Sequence, residues 1–182
     1  NILKLYGQVL RKVANEIQVT LSPELKTQLN AVRKVNPESY KAYLRGKYNI
    51  FLATPEGVMK GLEYLHEAVR IDPAEPLAYA GLALGYMDIA HGPFNAGDAY
   101  FKAEWATQQA LKLDPNMAEA VLAQAELFMY VSWKFYEVEP IIKRALELNP
   151  SLSYTHYMYA WTLYLFGRNE EAIEAHELAW KY

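Results

Sequence analysis

The sequence predicts an all-α fold made of repeated helical hairpins, and two observations carry that reading. Three segments are near-copies of one another: Ala68-Val-Arg-Ile-Asp-Pro73, Ala110-Leu-Lys-Leu-Asp-Pro115 and Ala145-Leu-Glu-Leu-Asn-Pro150. Their prolines stand 42 and 35 residues apart, a spacing found in arrays of helical repeats. Each copy also closes a stretch of helical apolar periodicity, and the proline that follows ends the helix because it lacks an N–H and clashes with the preceding turn.

The elements follow in chain order. Residues 1–35 lie outside the repeat: Ile2, Tyr6, Val9, Val13 and Ile17 place one apolar stripe on a helix. Ser22-Pro23-Glu24 then starts another, with Leu25, Leu29 and Val32 on one side. The first repeat unit, about 37–73, has its hairpin turn at Thr54-Pro55-Glu56-Gly57, where Thr54 caps and Pro55 opens the second helix. The second, about 74–115, carries a longer insertion, His91-Gly-Pro-Phe-Asn-Ala-Gly-Asp98. In the third, about 116–150, Pro140 lies inside the expected second helix and either delays its start or kinks it.

The fourth unit, about 151–182, is the cleanest. Tyr154 to Phe166 reads as one helix, ended by Gly167 in a left-handed cap. Asn169 is expected to cap the partner helix, which carries Glu170 and Glu171 in its positive first turn. Ala160, Ala172 and Ala179 are small where the two helices must approach.

These residues resemble the tetratricopeptide repeat, whose pattern runs from bulky, small and aromatic positions to Ala, a large apolar residue and a closing Pro. The second unit matches with Tyr79, Leu82, Ala83, Tyr86, Ala103, Ala110 and Pro115; the third with Val121, Ala125, Phe128, Ile142, Ala145 and Pro150. The first carries Gly46, Gly61, Leu65, Ala68 and Pro73. The resemblance implies a right-handed superhelical array of about four hairpins over residues 36–182, preceded by the helical segment 1–35. That segment, with Asn36-Pro37-Glu38-Ser39-Tyr40 and Tyr43-Leu44-Arg45-Gly46, resembles the junction between a TolB-like domain and tetratricopeptide repeats in bacterial signalling proteins. The chain opens at Asn1 and is expected to be a piece of something longer.

Carrying over the repeat's inward positions implies a groove lined by first helices. Unit one supplies Tyr40, Tyr43, Lys47 and Ile50; unit two supplies Leu77, Ala80, Leu84 and Met87. Unit three supplies Glu119, Leu122, Glu126 and Met129; unit four supplies Tyr154, Tyr157, Trp161 and Tyr164. One lysine and two acids among so many aromatic and aliphatic side chains do not suit a terminal carboxylate, which needs several inward cations. An amphipathic helix or an extended apolar peptide suits this surface better. Ile173, Leu178 and Trp180 on the last helix lack the polar finish of a solenoid end, so a further repeat or a homodimer through that helix is expected.

Other functions find little support. A net charge of −3 leaves no basic footprint for nucleic acid. Cysteine is absent, which removes disulfides and thiolate metal sites and suits a bacterial cytoplasm or periplasm equally. No apolar run is long enough to cross a bilayer, and no membrane contact is expected. His66, His91, His156 and His176 stand singly, without metal-ligand spacing, although His156 and His176 are placed to face each other. No serine sits in a nucleophile elbow and no glycine-rich phosphate loop appears, so neither catalysis nor a cofactor is expected. The favoured reading is a protein- or peptide-binding scaffold of a larger bacterial signalling protein. A small-molecule sensor using the aromatic groove, and a structural or dimerising spacer, are the alternatives.

Overall fold

The computed structural model describes residues 35–91 and 97–182, together with Gln8, Val9, Lys12, Val13 and Glu16, which are helical and exposed. The remainder of the predicted amino-terminal segment, the helix start at Ser22 included, and most of the insertion after His91 lie outside the described residues. Among the described residues after 34 there are eight helices and no strand. They are α1 (Pro37–Phe51), α2 (Pro55–Ile71), α3 (Pro76–His91), α4 (Ala99–Leu113), α5 (Ala118–Tyr130), α6 (Phe135–Leu148), α7 (Ser153–Leu165) and α8 (Asn169–Lys181). Each odd-numbered helix packs most extensively on the even-numbered one that follows it, and each hairpin then leans on the next. This is the predicted array of four hairpins.

The three near-copied segments form three copies of one turn. Asp72, Asp114 and Asn149 end their helices at φ/ψ of −140/91°, −146/97° and −146/90°. In each, the side-chain oxygen accepts the N–H two residues on: Ala74 to Asp72 at 3.1 Å, Asn116 to Asp114 at 3.0 Å and Ser151 to Asn149 at 3.2 Å. The backbone carbonyl of the same residue accepts the N–H of Glu75, Met117 or Leu152. Proline therefore stops each helix, and the preceding Asp or Asn shapes the exit.

Other boundaries also have local causes. Asn36 accepts from the Glu38 and Ser39 N–H groups ahead of Pro37, and Thr54 accepts from Gly57 at 3.0 Å ahead of Pro55. Gly167, at φ 74°, ends α7, and the Arg168 N–H reaches back to the Leu163 carbonyl. The expected cap at Asn169 is corrected: Arg168 occupies the cap position and makes no side-chain cap bond, while Asn169 is already helical. The Arg168 guanidinium is drawn instead to Glu139, at 2.9 Å from both carboxylate oxygens, and to Glu171. It ties the third hairpin to the fourth. Pro140 does not delay α6, which runs from Phe135 through it; so near the start, only the Tyr136 carbonyl loses its helical partner.

The core runs along the array as apolar clusters. Small residues set the closest approaches, with Ala68, Ala83, Ala103, Ala110, Ala125 and Ala145 fully buried. In the fourth hairpin Ala160 and Ala172 pack with Leu163 and Ala175, and Ala179 is half-buried. The first hairpin crosses at Gly46 and Gly61, where a Cβ on Gly61 would stand 2.5 Å from Ile50 Cγ1 and 2.8 Å from the Gly46 carbonyl. Nothing larger than hydrogen fits there.

Candidate functional site: the wall of first helices

Successive first helices α1, α3, α5 and α7 form one wall, and the positions expected to line it differ sharply in exposure. Tyr43, Ala80, Met87, Leu122 and Met129 are no more than 5% exposed. They are corrected from groove to core. Tyr43 and Met87 join the cluster around Leu65 and Leu82, Ala80 joins Ala110 and Met117, and Leu122 and Met129 pack with Ile142 and Met158. The seam between neighbouring helices consumes these side chains, because a single hairpin leaves apolar faces that only its neighbours cover.

Open to solvent are Lys47 in unit one and the complete set of unit four. Tyr154, Tyr157, Trp161 and Tyr164 are 39, 44, 38 and 59% exposed. They stand in two stacked pairs along α7, Tyr154 on Tyr157 and Trp161 on Tyr164, each with ring centroids 5.8 Å apart. Helical spacing of three residues produces this ladder, since i and i+3 share a face. Tyr40, Ile50, Leu77, Leu84 and Glu119 are half-buried. At the opposite end of the array an open hollow of ≈ 600 Å³ is bordered by Tyr40, Leu44, Tyr48 and Tyr64 with Lys41 and Arg45.

Beneath the ladder lies Glu126, 2% exposed, with its Oε1 lacking any hydrogen-bond partner. The Tyr154 hydroxyl donates to this carboxyl and partly offsets a burial that pushes its pKa up to about 8. Burial and the same carboxyl drive the Tyr154 phenol upward, and Tyr130 is pushed up to about 12 by burial and by the charge at Glu126. On α3, Asp88 is exposed, yet neighbouring protein desolvates it and raises it to about 6. Asp88 acts electrostatically on both Glu126 and Tyr154. The His91 imidazole stacks edge-on against Tyr130 at 4.0 Å, and burial lowers its pKa.

His156 and His176 do not pair. His156 meets the Pro150 carbonyl at 2.8 Å and stacks on Tyr182, whereas His176 packs against Tyr157. Among the described residues no three His, Asp or Glu side chains are grouped to hold a metal ion, and no described helix is long and apolar enough to cross a membrane.

With this geometry in view, similarity to known proteins becomes informative. TTC0263, a thermophilic TPR protein of Thermus thermophilus, superposes with a TM-score of 0.63, covering 98% of this chain and 90% of that one at 16% identity. The chain has the TPR fold. In sequence it is similar to the transcriptional regulator HilA of Salmonella typhimurium and of Salmonella typhi, 28% identical over 165 residues in each case. Those residues are 90% of this chain but only 30% of the regulator, so the chain spans under a third of the length of the curated relatives it matches. No protein-family model matches the chain.

Sequence reasoning named the ladder and Glu126, but missed Asp88, His91 and Tyr130. Asp88 sits one residue after Met87 and Tyr130 one after Met129, at positions that the repeat pattern does not assign to the wall. Only the stacking of α3, α5 and α7 brings them together.

Proposed function

We propose that this chain is the partner-binding module of a larger bacterial regulatory protein, and that it grips a protein or peptide segment rather than performing chemistry. The observation that carries this reading is the exposed ladder Tyr154, Tyr157, Trp161 and Tyr164. Four large aromatic side chains left open on one face form an apolar patch of the kind that marks interaction sites. Aromatic anchors supply most of the energy in such contacts at little conformational cost. Tyr40, Ile50, Leu84 and Lys47 extend the surface along the array. Membership in a bacterial regulator is supported by the likeness to HilA over most of this chain, and the TolB-like junction resemblance at the amino-terminal end agrees with it.

The segment accepted is apolar or amphipathic, because the described wall positions are mostly rings and aliphatic side chains, with Lys47 the one cation among them. The test is a screen of displayed amphipathic and extended peptides against the chain, followed by titration of the selected sequences into Trp161→Ala and Tyr164→Ala. Loss of about 2 kcal/mol or more is expected for Trp161→Ala. Peptides that bind both variants as tightly as the parent chain would remove the ladder from the proposal. Separately, Ile173, Leu178 and Trp180 on α8 are 61, 38 and 89% exposed, and we assign them to contact with a further repeat or a second copy. Light scattering at high concentration reads a dimer in the second case.

A further inference from the structure

The wall holds more than apolar rings. Glu126 places a carboxyl oxygen in the interior with no donor to satisfy it, a condition that native structures seldom tolerate without a purpose. Asp88 lies near enough to act on it, and neither carboxyl has a lysine or arginine among the charges bearing on it. Glu126 acts on both Tyr154 and Tyr130, and Tyr157 and Trp161 in turn act on the Tyr130 hydroxyl. Asp88 has no counter-ion acting on it, and ring faces add negative potential, to which Glu126 contributes once it is ionised.

We propose that this cluster binds a protonated nitrogen, the guanidinium or ammonium of an arginine or lysine side chain on a peptide partner, against Asp88 and the aromatic rings with Glu126 behind. The inference rests on the reading of the wall as a peptide-binding surface and adds a charged anchor to its apolar one. Asp88 is the accessible contact. A cation favours the ionised form of both acids, so its arrival expels the proton that burial holds on Glu126, and binding tightens as pH rises towards 8. The groups facing the site are Asp88 and His91 from α3, Glu126 and Tyr130 from α5, and Tyr154 and Tyr157 from α7. His176 of α8 reaches the outer edge of Tyr157.

The experiment titrates the chain with n-butylguanidinium and with n-butanol as its neutral counterpart. It is repeated with a blocked tripeptide bearing a central arginine and the same tripeptide bearing norleucine. The Trp161 indole N–H resonance reports occupancy. The charged ligand of each pair is expected to bind about tenfold or more tightly than the neutral one, with the ratio growing between pH 6 and 8.5. In Asp88→Asn the ratio falls several-fold, and in Glu126→Gln its growth above pH 7 disappears while that near pH 6 remains; Asp88→Asn, at an exposed position, serves should the buried substitution fail to fold. Equal binding of charged and neutral ligands, or an unchanged ratio in Asp88→Asn, overturns the proposal. Neutral peptides that bind the ladder with no charge preference would overturn it while leaving the module reading intact. Binding of n-butylguanidinium without the arginine tripeptide would overturn the peptide as the source of the cation.

Discussion

Glu126 shows how a single side chain converts its surroundings into a pH response. Its ordinary carboxyl pKa applies in the unfolded chain, and burial raises the folded value to about 8. Between those two values the folded state binds the extra proton, so stability contributed by the protonated form declines as pH rises through that window. Each unit of such displacement corresponds to about 1.4 kcal/mol. Glu126→Gln removes the ionisation while keeping the shape, and its stability relative to the parent chain should improve steadily from pH 5 to 8.5 in urea denaturation. A constant difference across that range would contradict the assignment. The sequence showed Glu126 as an acid facing the wall, because helical spacing assigns faces. It did not show the burial, which only the packing of neighbouring helices sets. The same limit explains Leu122 and Met129: a face was readable, but the depth to which the next helix covers it was not.

Among elements, the closures were the most readable feature, because proline acts on its own helix and needs no distant partner. What the near-copies concealed was the work of the residue before proline. Asp114 accepts a backbone N–H at 3.0 Å, so Asp114→Ala is expected to cost about 1 kcal/mol, read as a shift of the urea midpoint at unchanged slope. The crossing of α1 and α2 is less forgiving. A methyl at Gly61 meets backbone at 2.8 Å, and the overpacking, about 1–3 kcal/mol, exceeds the helix-propensity gain of roughly 1 kcal/mol. Gly61→Ala should therefore lower stability; a rise in midpoint would show that the helices separate freely. Asn169 was misread because its sequence context suits a cap, whereas the arginine before it is held by Glu139 from the preceding hairpin. Arg168→Ala is expected to reduce the thermal midpoint in low salt and much less in concentrated salt, as screening dictates for a partly exposed ion network.

For the whole molecule, the array divides into a packed seam and an open ladder, and only their sum explains why inward-facing positions differ so much along the chain. Units one to three spend most of their wall residues on neighbours. Unit four leaves its set uncovered, and binding is expected to concentrate there. A double substitution, Tyr157→Ala with Trp161→Ala, should abolish capture of the selected peptides while leaving the helical circular dichroism unchanged, since both side chains lie outside the core clusters. Loss of helicity in that variant would mean that the ladder supports the fold instead. The period of the array was evident from three prolines; the position of its free surface was not, because exposure is a property of the assembled stack.

Three exits of matching backbone angles give the hairpins a common way of joining. Joining Pro115 directly to Ser151 would replace one Pro-terminated exit by another of the same geometry, bringing α7 against α3 in the place that α5 now fills. Such a shortened chain should still fold cooperatively, with Glu126 and Tyr130 excised and the aromatic row carried one step nearer Asp88.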